Sequence, residues 1–175
     1  MATYQIDPVH SSVGFSVKHM MIAKVRGSFD KFSGTLVYDK SNPQAATAEA
    51  TIDAASINTN EEKRDGHLRS GDFFDVEKFP SLTFKSKAVS VTSDGLSVTG
   101  ELSIKGITKQ VKLEIEGPSE ELKDPYGNAK IGLSATTKIS RKEFGLSWNA
   151  ALETGGVLVG DDITITLDLQ FVKQA

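Results

Sequence analysis

The chain has 175 residues, no cysteine, and a net charge of −3 with acidic and basic residues interspersed. That length suits one domain with a real core, spanning 1–175. The missing cysteine excludes disulfides, thiolate metal sites and a cysteine nucleophile. No lysine or arginine block argues for nucleic acid, and no apolar run approaches the roughly 20 residues needed to span a bilayer. The opening Met-Ala-Thr-Tyr-Gln-Ile-Asp-Pro has neither a basic nor an apolar leader segment, so a cytoplasmic location is expected, or a periplasmic one if a leader has been removed.

From the N-terminus, Tyr4 to Asp7 is short and extended and closes at Pro8. Ser12 to Lys18 alternates, with Val13, Phe15 and Val17 on one face. His19 to Ala23 breaks the alternation and is expected to form a helical turn. Val25 to Asp39 is long for one strand, and its apolar parity switches between Phe29 and Phe32. A switch of that kind requires a bulge or bend near Asp30-Lys31. After the Asn42-Pro43 turn, Ala46, Ala48, Ala50 and Ile52 share a face. Alanine is a poor strand former. Its repetition fits close packing against a neighbour, the taper of a small barrel, or empty volume opposite.

Asn58 to Phe84 differs in character. Thr59 and Glu62 have capping-box spacing, and the good helix formers that follow predict a short polar helix over about 60–70. With Leu68 its only large apolar residue, that helix has no stripe to bury. It is expected to cap or flank something else, with His67, Asp65, Arg64 and Arg69 forming a solvated face. Phe73, Phe74, Phe79 and Phe84 follow, and such rings supply an aromatic anchor. Strands at Ser81–Ser86 and Ala88–Thr92 precede a Ser93-Asp94-Gly95 turn.

Leu96 to Ile115 forms a hairpin about a two-residue Lys105-Gly106 loop. That register sets Ile104 opposite Ile107, Gly100 opposite Val111, Val98 opposite Leu113 and Leu96 opposite Ile115. A polar loop covers 117–128, and alternation resumes from Ile131 to Ile139. Ser140 and Glu143 repeat the capping-box spacing before a single helical turn. Turns are expected at Gly155-Gly156 and at Gly160 to Asp162, before a last strand carrying Ile163 to Phe171. About eight antiparallel strands result, a number at which a barrel closes around one small ligand.

No nucleophile elbow, Walker loop, dinucleotide fingerprint or zinc motif is present, and His10, His19 and His67 lack metal-ligand spacing. Nothing supplies a base for Ser11, Ser12 or Ser147. Nine phenylalanines, one tryptophan and an alanine face are compatible with an elongated apolar cavity, and equally with a filled core.

Several motifs then stand in order: Asp7-Pro8-Val9-His10-Ser11-Ser12-Val13-Gly14-Phe15 with Val17-Lys18-His19-Met20; Val25-Arg26-Gly27-Ser28-Phe29; Arg64-Asp65-Gly66-His67-Leu68-Arg69-Ser70 with Asp72-Phe73-Phe74-Asp75; Phe79-Pro80 with Thr83-Phe84. Gly100 to Thr108, Arg141 to Leu146 with Trp148-Asn149, and Gly160-Asp161 complete the set. In these motifs the chain resembles the YceI-like family over almost its whole length, departing at Gln110, where the family often has proline.

The resemblance implies an all-β, elongated, lipocalin-like antiparallel barrel that encloses a pocket for a long-chain amphiphile, such as an isoprenoid quinone or isoprenyl phosphate. It carries over no catalytic residues. Strand parity nominates Phe15, Val17, His19, Met20, Phe29, Leu36, Phe84 and Trp148 as ligand-binding. No cofactor or metal is expected beyond a bound lipid, and a homodimer is left open. The alternatives are a lipid-modifying hydrolase or isomerase using His19 or His67, and a structural or stress-related dimer with a filled barrel.

Overall fold

The computed structural model of the protein describes residues 1–149 and 158–175. The expected Gly155-Gly156 turn lies outside the described residues. In chain order the elements are β1 (Ala2–Ile6), β2 (Ser12–His19), β3 (Ala23–Phe29), β4 (Phe32–Tyr38), β5 (Thr47–Asp53), β6 (Ile57–Asn58), helix α1 (Glu62–Arg69), β7 (Ser81–Val91), β8 (Gly95–Ile104), β9 (Ile107–Glu116), β10 (Leu122–Lys123), β11 (Ala129–Ser140) and β12 (Val159–Lys173). Short 3₁₀ turns interrupt the chain at Pro8–His10, Pro43–Ala45, Ala54–Ser56 and Arg141–Phe144.

The strands close into an eight-stave antiparallel barrel because three staves are each built from two pieces. β12 pairs along one edge with β11, from Asp162–Ser140 to Val172–Lys130. Its other edge takes β2 over Val159–Asp168 and β1 over Phe171–Lys173. β1 with β2, β4 with β3, and β5 with β6 therefore act as three kinked staves. β7, β8 and β9 follow, and β9 meets β11 at Glu116–Ser134 to close the ring. The break between β3 and β4 falls at Asp30-Lys31, where the parity switch requires it.

The β8–β9 hairpin has the register read from its turn, with Ile104 opposite Ile107 and Leu96 opposite Ile115. Lys105 and Gly106 both have positive φ, 52° and 76°, which is the geometry of a type I′ turn. A Cβ on Gly106 would also lie 2.8 Å from the Phe79 ring, so this turn needs glycine for space as well as for torsion.

Four local expectations are corrected. His19 to Ala23 is a hairpin turn with Met20 and Met21 at positive φ, not a helical turn. Gly160 to Asp162 lies within β12, where the β2 pairing slips between Val159 and Ile163, so the glycine and aspartates mark a bulge and not a turn. Thr59 does not cap α1: Glu61 is the N-cap, its carboxylate accepting the Arg64 N–H at 2.6 Å. Ser140 makes no side-chain capping bond to the turn that follows it.

The core divides between the ends of the barrel. Val13, Phe29, Ala54, Ile57, Leu82, Leu102, Ile104, Ile139, Phe144 and Leu146 pack together at the α1 end, with Leu68, Phe74 and Val76 against them. Tyr4, Leu36, Ile131 and Phe171 form a smaller cluster at the opposite end.

Candidate functional site

Inward-facing side chains of all eight staves surround an apolar cavity of about 180 Å³. Its lining spans β8 from Leu96 to Ile104, about 27 Å of strand and about 20 Å along the axis of a barrel tilted by ~40°. The volume is little more than that of an engineered cavity of ~150 Å³ that admits benzene. A space that long and that small is a slot. It suits an extended hydrocarbon chain better than a compact ligand.

Local sequence shapes the slot. Ala46, Ala48 and Ala50 line it together with Ile52, so the alanine face borders empty space. Ala48 stands opposite Leu36, and Ala50 lies between Gly34 and Phe84. The Phe84 ring leans over Gly100, where a Cβ would lie 2.5 Å from the ring. At the α1 end Phe15 and Phe29 are 5.7 Å apart, and Phe74 meets Phe29 edge-on at 5.8 Å. Phe15 and Phe29 floor the slot at that end, with Phe74 packed behind Phe29. Glu49, the one acid among the described lining residues, points its carboxylate outward, 3.7 Å from Lys85.

Toward the opposite end the Pro43–Ala45 turn lies against β7, and the regular ladder between β5 and β7 gives way. Their pairing stops at Glu49–Lys85. Beyond it the Ala48 N–H donates to Ser86 Oγ at 2.8 Å instead of to a carbonyl, and β7 slips register between Ser86 and Ala88. Ala46, Thr47, Ser86 and Val89 of this irregular region all border the slot.

Of the residues nominated by parity, Phe15, Phe29, Leu36 and Phe84 come together in the lining. Val17, His19, Met20 and Trp148 lie outside it. Val17 sits between Ile163 and Val25, His19 ends β2, and Met20 is exposed. Trp148 packs edge-on against His67 at 4.7 Å and tilted against Phe73 at 5.5 Å. Residues from the second half of the chain, such as Leu133, Ala135, Leu167 and Leu169, were not nominated although they line the slot. Their period-two alternation with the strand-facing set was the available signal.

The helix flanks the barrel as expected, but the residues read as its solvated face are paired rather than free. Asp65 is buried and accepts from both the N–H and the hydroxyl of buried Thr59. Arg64 donates to Thr59 Oγ1 at 2.7 Å and to its carbonyl at 2.8 Å. Arg69 reaches the carbonyls of Ala55 and Ile57 at 2.9 and 3.1 Å. His67 Nε2 is 2.9 Å from Asp72 and its ring meets Phe73 and Trp148 edge-on. The polar residues of α1 therefore stitch it to the β5–β6 stave. Among the described residues no group of three His, Asp or Glu side chains is placed to hold a metal ion, and no helix is long and apolar enough to cross a membrane.

Comparison with known proteins agrees with this architecture. The YceI-like domain matches residues 4–171. A UPF0312 protein of Staphylococcus aureus strain USA300 is 40% identical over 171 residues, 98% of each chain. BcnA of Burkholderia cenocepacia superposes with a TM-score of 0.77 at 25% identity, covering 94% of this chain and 98% of its own. The YCEI protein of Campylobacter jejuni gives 0.72 at 31% identity over 90% of each chain. A polyisoprenoid binding domain from Saccharophagus degradans, implicated in plant cell wall breakdown, shares the fold with a TM-score of 0.69 at 15% identity, over 98% of each chain. With the barrel closed in eight staves and the match running from residue 4 to residue 171, the chain belongs to the YceI-like family.

Proposed function

We propose that this chain binds a long-chain amphiphilic lipid, carrying or sequestering it without chemical change. The preferred ligand is a polyisoprenoid such as an isoprenoid quinone or isoprenyl phosphate. The observation that carries the reading is the apolar slot, which runs most of the barrel's length and has no inward-pointing charge among the described residues of its lining. The S. degradans domain, named for polyisoprenoid binding, has the same barrel. Each buried CH₂ contributes about 0.8 kcal/mol, so a chain drawn into the slot needs few polar contacts. The end of the β5–β7 ladder is where the tail enters. The headgroup then stays outside, beside Thr47, Ser86 and Lys85.

The histidines support binding over catalysis. His10 is held against Asp7 and His67 against Asp72, at 2.8 and 2.9 Å, and none of the three borders the slot. The test is organic extraction of purified protein followed by mass spectrometry. The expected result is a hydrocarbon-chain lipid recovered in proportion to protein. Repeated preparations that carry no lipid and take up no added polyprenol would end the proposal.

A further inference from the structure

The β2–β3 hairpin ends in a tip that works against folding in three separate ways. Met20 and Met21 sit at φ 54° and 65°. They are the two central residues of a turn closed by the Ile22 N–H on the His19 carbonyl at 3.3 Å, and both lie in the left-handed region, where Asn or Gly is preferred and a bulky side chain is strained. Met20, Met21 and Ile22 are 44%, 58% and 85% exposed, so the strained residues and their neighbour gain little from burial. Behind the tip Lys18 stands directly opposite Lys24, a like-charge cross-strand pair that destabilises a sheet. Neither lysine has an ion-pair partner among the described residues, and Asp161 on neighbouring β12 is 3.4 Å from Lys142. No acidic residue occurs between Asp7 and Asp30, whereas Arg26 extends the basic face.

Each of these features becomes favourable in one setting. An apolar tip enters the boundary between headgroups and acyl chains, and a collar of lysines behind it meets anionic headgroups. We propose that the β2–β3 tip docks the protein on an anionic lipid bilayer, with Met20, Met21 and Ile22 inserted and Lys18, Lys24 and Arg26 against the headgroups. The charge of the collar selects this occupant. A second copy of a chain with net charge −3 would have to bring an acidic patch to this hairpin, whereas an anionic bilayer presents one everywhere. Docking at the tip does not depend on what fills the slot, so it stands or falls separately from the lipid-binding proposal.

Flotation with phosphatidylcholine vesicles, with and without phosphatidylglycerol and at low and high salt, tests it on the whole chain. The protein is expected to float only with the anionic vesicles, and less so as salt rises. Lys18→Ser with Lys24→Ser should weaken partition by roughly fivefold for each lysine removed, and Lys109→Ser, elsewhere on the barrel, should leave it unchanged. Met20→Asn with Met21→Gly should abolish flotation while raising Tm by a few degrees, because it installs the residues the turn prefers. Ile22→Ser, outside the strained pair, carries the same test if that double variant does not fold. Failure of the wild type to float at low salt, flotation unchanged in the tip and lysine variants, or a tip variant whose only effect is to turn a dimer into a monomer would each overturn the proposal.

Discussion

Asp7 lies 2.9 Å from Lys130 Nζ and 2.8 Å from His10 Nδ1. The bond from Lys130, then that from His10, holds its carboxyl at about 2 against an ordinary 3.8. A folded-state value below the unfolded one contributes stability that is complete above the unfolded value and is lost as pH falls through the folded one. Asp7→Asn should therefore flatten the acid limb of the stability curve between about pH 4 and pH 2, measured by urea unfolding across that range. An unchanged slope would show that Lys130 pairs as well in the unfolded chain. Asp65 offers a second test at this scale. Removing its buried carboxylate strands the Thr59 N–H and hydroxyl, so Asp65→Ala should cost about 3 kcal/mol. Glu62→Ala on the exposed side of α1 should stay within about 0.5 kcal/mol. Neither partnership was legible in the sequence: Lys130 is 123 residues from Asp7, and Thr59 has the spacing of a cap while its hydroxyl goes to Asp65.

At the scale of elements, legibility followed how local the cause was. The β8–β9 hairpin was readable in full because a two-residue turn fixes every pair beyond it. The bend at Asp30-Lys31 was readable because parity cannot change inside an unbroken strand. The start of β12 was not, because Gly160-Asp161-Asp162 has turn composition while its backbone is held from outside. There the buried Arg141 donates to the carbonyls of Gly160, Leu146, Trp148 and Val159. One guanidinium ties the segment after the Arg141–Phe144 turn to the first residues of β12. Arg141→Ala leaves those carbonyls to find other partners and should cost about 3 kcal/mol or more. Arg141→Lys should recover only part of the loss, since an ammonium lacks the planar fork. Denaturant midpoints equal to wild type in both variants would show that water replaces the guanidinium without penalty.

Across the whole molecule, the eight-stave barrel was legible from strand count and alternation, but its interior was not. Alternating apolar residues serve a filled core and a hollow one alike; the alanine face of β5 hinted at volume, and the pocket was otherwise implied by the family resemblance. What decides between them is the register of distant strands, which places Ala48 opposite Leu36, Ala50 between Gly34 and Phe84, and ends the β5–β7 ladder at Glu49. The slot's narrowness makes a quantitative claim. Binding to a series of amphiphiles that share a headgroup and differ in chain length, followed by native mass spectrometry or calorimetry, should tighten about three- to fourfold per added CH₂. It should then level off once the chain fills the barrel, and Ala48→Phe should bring the plateau to shorter chains. Affinity indifferent to chain length, or unaltered by Ala48→Phe, would contradict the placement of a lipid tail inside the barrel.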